Sequence, residues 1–194
     1  MFSLPTTVTV NGRTLHIRNN GDYRMILDCF NALSDGELSE DLRVLASLLI
    51  FYNEFTCVED VDEFADCLDK LVEEMYKFIN CGQVDSPGKV TNKPLLDWSK
   101  DEQMICAAVN NVAKQEVRSL EYLHWWTFMG YFLSVGESVM STVVSIRDKI
   151  VHHKKLEKWE QEFKRSNPDY FVWNMSTIED KEAENIIRDL WNKE

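Results

Sequence analysis

The chain has no paired-cysteine motif, no long apolar run and comparatively little positive charge. Its five cysteines (Cys29, Cys57, Cys67, Cys81 and Cys106) are odd in number and form no CxxC pair. This argues against a disulfide framework or a zinc site and for reduced thiols in a cytoplasm. A bilayer-spanning helix needs about 20 consecutive apolar residues, and no such run is present. The first hydrophobic run, Val8 to Val10, is short and alternating, so no signal peptide is expected. Lys and Arg number 21 against 33 Asp and Glu, a net charge of −12. Phosphate contacts need clustered cations, so the chain as a whole is not expected to bind nucleic acid.

Catalytic signatures are missing too. There is no GxSxG, no HExxH and no glycine-rich phosphate fingerprint. Ser86-Pro87-Gly88-Lys89 lacks the glycines and the following Ser or Thr of a phosphate loop. The EF-hand spacing is absent from the carboxylate-rich segment 59–74. Nothing marks a cysteine as an activated nucleophile. The expectation is a protein with no catalytic residue, no cofactor and no metal.

What the chain does have is apolar and aromatic mass. Apolar residues make up 44% of the 194, enough for a globular fold with a real core. The organising stretch is Leu120–Glu137. Between Tyr122 and Leu133 only His124, Thr127 and Gly130 are not large and apolar, and six aromatics sit there. A helix apolar nearly all round belongs inside other protein. The expectation is a central core helix, with a partner-binding surface as the alternative. The indole N–H groups of Trp125 and Trp126 need acceptors if buried. His124 reads as a hydrogen-bonded core histidine.

Along the chain, Thr6–Arg18 alternates around Asn11-Gly12, the strongest two-residue hairpin signal. Asp22 is placed to cap a helix ended by Ser34-Asp35-Gly36. Ser39 is placed to cap a second, with Leu42, Leu45, Ala46, Leu49 and Tyr52 on one face. Asp60 and Glu63 resemble a capping box for one long third helix that Gly82 stops. The polar segment 83–94 reads as a linker. Ser99 and Glu102 resemble another capping box, followed by a helix burying Met104, Ile105, Ala108, Val109, Val112 and Ala113. Ser138–His152 is rich in β-branched residues, yet its length and lack of alternation favour helix over strand. Lys155–Arg165 is expected as a short helix with Leu156, Trp159 and Phe163 inward, broken by Asn167-Pro168. Tyr170–Trp173 reads as an apolar anchor, and Ser176–Trp191 as a last helix. The fold class is therefore mainly α: a helical bundle with an N-terminal β-hairpin, in two helical subdomains. Their expected limits are 1–82 (hairpin plus three helices) and 95–194.

Charge is unevenly spread. Residues 54–74 hold nine acids and one Lys, whereas 147–165 hold seven Lys or Arg and four acids. Both read as solvated helix faces; pairing with each other or with an oppositely charged partner is the alternative.

His124-Trp125-Trp126-Thr127-Phe128, followed by Ile146-Arg147-Asp148-Lys149, resembles a family of small tailed-phage proteins, the Gp-fifteen family. The likeness extends to Leu96–Asp101 and to Lys155–Glu160, covering most of 95–166. More loosely it includes Val8–Gly12 and Phe78–Gly82. It implies a protein of the phage tail module that works in the host cytoplasm. The expected role is an assembly chaperone for the tape-measure protein, with no membrane or nucleic-acid partner and a possible homo-oligomer. A structural virion component, in tail or connector, is the alternative. Trp125, Trp126, Phe128, Phe132, Trp159 and Phe163 are the candidates for core or partner contact, which sequence does not divide between them.

Overall fold

The computed structural model describes residues 3–83 and 95–172. The linker expected at 83–94, Trp173 of the expected apolar anchor and the last helix expected at 176–191 lie outside the described residues, apart from Gln83. The described residues form two compact units. One comprises residues 3–83 together with 109–135, the other 95–108 together with 136–172. The fold is mainly α, with one two-stranded antiparallel sheet. None of its helices is long and apolar enough to cross a membrane among the described residues.

The first unit begins with the hairpin. Strands β1 (Thr7–Val10) and β2 (Arg13–His16) pair from Val10↔Arg13 to Thr7↔His16. Asn11 and Gly12 take φ of +48° and +78°, as a two-residue turn matched to strand twist requires. Val8, Val10 and Leu15 are buried. Helix α1 (Tyr23–Leu33) starts at Asp22, whose carboxylate accepts from the Arg24 N–H at 3.0 Å. Helix α2 (Glu40–Phe51) buries Ser47, Leu48 and Phe51. The expected face is thus rotated: Leu42 is half exposed. The rotation brings Phe51 edge-on to Phe78 (5.5 Å) and lets the Tyr52 hydroxyl donate to Leu71 O (2.8 Å). Arg18 closes the C-terminus of α2. Its guanidinium donates to the carbonyls of Leu49, Ile50, Tyr52 and Phe55 at 2.7–3.0 Å, supplying acceptors that a helix end leaves without partners.

The expected long third helix is in fact broken. Helix α3 (Val58–Asp62) is followed by a 3-10 turn (Ala65–Cys67) and then helix α4 (Leu68–Ile79). Helix α3 also starts earlier than expected. Asp60 does not open a helix but accepts from the Thr56 and Cys57 N–H groups (2.7 and 3.1 Å), which lowers its carboxyl to about 2. The break buries Phe64, whose ring meets Phe55 at 5.4 Å and lies under the Arg13 guanidinium at 4.9 Å. Burial of one aromatic thus overrides a continuous apolar repeat. Helix α4 ends in a Schellman motif, with Cys81 N–H on Phe78 O (2.9 Å) and Gly82 N–H on Lys77 O (2.8 Å).

Helix α5 (Glu102–Ala113) starts three residues beyond the expected Ser99 cap. A short 3-10 turn (Val117–Ser119) leads to helix α6 (Trp125–Leu133). In the second unit, helix α7 (Val139–Val151) is capped by Ser138 and helix α8 (Lys158–Ser166) leads into a 3-10 turn (Pro168–Phe171). Ser138–His152 is therefore helix rather than strand.

Candidate functional site

The aromatic stretch does not form one helix. Residues 120–124 stay out of the helix because their backbone is bonded to the entry to α1. Tyr23 N–H donates to Leu123 O (2.9 Å), and Leu123 N–H donates to the Asp22 carboxylate (3.0 Å). The Arg24 guanidinium donates to Leu120 O and Glu121 O. With those peptide groups committed, α6 can begin only at Trp125. His124 is its N-cap: Nδ1 accepts from Trp126 N–H (3.0 Å), so Nε2 carries the proton and donates to Pro5 O (2.9 Å). Burial pushes the His124 pKa down, more than the Pro5 carbonyl and Asp22 pull it up. It is a core histidine, held neutral.

Both indoles find acceptors at the end of α4. Trp125 Nε1 donates to Ile79 O (2.8 Å) and Trp126 Nε1 to Phe78 O (2.9 Å). Trp125 stacks on Phe128, and Phe128 on Tyr23. Trp125 and Phe128 are core, whereas Trp126 and Phe132 are half-buried. Leu133 is 71% exposed. Helix α6 is therefore a one-sided core helix, not one packed all round as its composition suggested.

In the second unit a buried arginine organises the packing. Arg147 on α7 donates to both Asp101 carboxylate oxygens (2.5 and 2.9 Å), to Leu95 O (2.8 Å), and twice to Tyr170 O (2.9 and 2.5 Å). Beside it, Lys149 Nζ donates to Glu160 (2.7 Å), whose other oxygen accepts from Glu157 N–H. Lys149 holds the Glu160 carboxyl below its ordinary value. Glu160 thereby takes the inward position of α8 that sequence assigned to Trp159. Trp159 instead points outward, 56% exposed, while Phe163 is half-buried against Phe171. Residues 101, 147 and 160 carry no apolar signal, so periodicity passes over them.

The motifs carrying the resemblance are now accounted for in both units, and a family model described as bacteriophage Gp15 protein matches residues 2–171. The chain belongs to the bacteriophage Gp15 family. No curated protein and no solved structure matches it at a significant level. In this Gp15 family protein, His124, Trp125, Trp126, Asp101 and Arg147 act as scaffold. Their polar side-chain atoms are hydrogen-bonded to other parts of the fold.

Free surface lies elsewhere in the first unit of this Gp15 family member. A cleft of about 510 Å³ opens between α2, α3 and α4. Its apolar walls include Leu45, Leu48, Val58, Val61, Leu68 and Val72. Val58 and Leu68 are 44% and 39% exposed. Asp41, Asp62 and Asp69 stand at its margin, and no Lys or Arg lines it. The cleft arises from the break after α3, which separates the first acidic turn from α4. An uninterrupted third helix would not form it, so sequence reading missed it. The thiols nearby are not activated: burial raises Cys67, and hydrogen bonding to Glu59 raises Cys57. Among the described residues no group of His, Cys, Asp and Glu is arranged to hold a metal ion.

Proposed function

We propose that this Gp15 family protein is a non-enzymatic tail assembly factor that keeps the tape-measure protein soluble until the tail is built. The observation that carries the reading is the acid-margined apolar cleft of the first unit. A binding protein for a helical partner needs apolar surface left open by its own fold. It also needs enough like charge to stay soluble, and the net charge of −12 supplies that. Co-expression with the tape-measure protein of the same phage tests the reading. The expected result is more soluble tape-measure protein and recovery of a complex; unchanged solubility with no complex at low salt refutes it.

One observation favours a second reading, a structural component of the virion. Ile17 N–H donates to Thr6 O, so in this register the peptide groups of Thr7 and Thr9 face away from β2. The β2 edge is occupied at His16, whose N–H donates to Glu54 and whose O accepts from Asn53. The β1 edge is open to strand addition, a route to homo-oligomeric rings or filaments. Mass spectrometry of purified virions separates the two: stoichiometric presence supports the structural role, absence the assembly factor.

A further inference from the structure

We infer that the cleft between α2, α3 and α4 seats an amphipathic α-helix with Lys or Arg on both sides of its apolar stripe. This rests on the partner-binding reading above and names the chemistry of the partner.

The apolar part of the argument is geometric. A cleft between helices with an aliphatic lining matches the apolar ridge of another helix, whose side chains recur every three or four residues. The cleft falls inside the range of about 300–1,000 Å³ typical of binding pockets. Its lining continues onto the surface through Leu42 on α2, 50% exposed and one turn before Leu45. The first unit thus leaves a strip of aliphatic side chains in water, from Leu42 through Leu45 to Leu68 and Val58.

Charge selects the occupant. Asp41, Asp62 and Asp69 lie on three successive segments around the opening and form no ion pair among the described residues. Two other acids of these segments have local partners, Asp60 accepting from Thr56 and Cys57 and Glu74 pairing with Lys77 at 3.1 Å; what sets Asp41, Asp62 and Asp69 apart is their place at the cleft margin. The nearest base in sequence, Lys70, is turned to Asn11, its Nζ 2.7 Å from the side-chain oxygen. An anionic amphiphile would meet three unneutralised carboxylates, and a neutral helix would gain nothing from them. A helix flanked by cations satisfies both the walls and the margin.

The test uses the full chain, isotopically labelled, titrated with a designed Leu/Lys amphipathic helix of about 18 residues, or five turns. A Leu/Glu peptide of the same apolar pattern is the control. The expected result is amide shift changes centred on Leu45, Val58, Ala65 and Leu68 with the Leu/Lys peptide, and binding at least about tenfold weaker with Leu/Glu. The triple variant Asp41→Asn, Asp62→Asn, Asp69→Asn should remove that preference while keeping the fold, with only a small drop in melting temperature, because the three side chains are exposed and Asp41 and Asp69 give up no more than their first-turn helix-dipole charge. Ala65→Arg, at an exposed position on the cleft wall, should abolish binding of the Leu/Lys peptide. Equal affinity for the two peptides, or shifts mapping away from the cleft, overturns the inference. The chaperone reading fails separately. If Ala65→Arg solubilises the tape-measure protein as well as the unaltered chain, the cleft is not its seat and the chaperone reading stands. If the cleft takes the Leu/Lys helix but the tape-measure protein is no more soluble, the chaperone reading falls and the cleft assignment stands.

Discussion

Replacing Arg147 by Met should loosen the second unit more than any surface change in it. Arg147 is 1% exposed and Asp101 5%, so solvent screens neither charge. Met keeps much of the side-chain length but removes the guanidinium and with it the hydrogen bonds donated to Asp101, Leu95 and Tyr170. The Asp101 carboxylate would keep the Asp97 N–H on one oxygen (2.9 Å), and the carbonyls of Leu95 and Tyr170 would lose these donors. Leaving one member of a buried pair behind costs about 3–5 kcal/mol, because the remaining charge stays desolvated. Hydrogen exchange followed by mass spectrometry resolves the effect by segment. Protection of the slowest amides in α7 should fall by roughly two to three and a half decades, at about 1.4 kcal/mol per decade. Combining Arg147→Met with Asp101→Leu should cost less than the sum of the two single changes, since no buried charge is left without its partner. If Arg147→Met lowers α7 protection by less than about tenfold, the pair does not hold the second unit together and the reasoning is wrong.

Three further outcomes are expected. Trp125→Ala should destabilise the first unit by about 3–5 kcal/mol, and Trp125→Phe by less, mainly through the stranded Ile79 carbonyl; wild-type unfolding of Trp125→Ala would contradict its core role. His124 should titrate below its unfolded value of about 6.5, because its buried neutral ring is the folded form. Its stabilising share is therefore complete above that value and lost as pH falls through the folded pKa; an imidazole resonance titrating at or above 6.5 rejects this. Gly82→Ala should cost about 1–2 kcal/mol, since φ is +79° and a Cβ would stand 3.3 Å from Trp126 Cη2; chemical denaturation with an unchanged midpoint would refute it.

Local chemistry by itself determined the hairpin, the Asp22 cap, the buried face of α5 and the overall helical class. Each depends on neighbours in sequence: Asn11-Gly12 can take positive φ, Asp22 is two residues from the N–H it accepts, and Met104, Ile105, Ala108 and Val109 repeat at helical spacing. The same level foresaw that the Trp125 and Trp126 indoles need acceptors and that His124 is a core residue, because the cost of burying a polar atom is independent of fold. Tertiary structure decided what periodicity could not. The apolar run from Val61 to Ile79 is a continuous helix by pattern, yet burying Phe64 against Phe55 breaks it and opens the cleft. Residues 120–124 are helical by composition, yet Asp22 and Tyr23 take their peptide groups. Arg147 and Glu160 look like solvent-facing charges, yet partners 46 and 11 residues away, Asp101 and Lys149, draw them inside and turn Trp159 outward. In each case the deciding partner is distant in the chain, so its contribution enters only when the fold brings the two together.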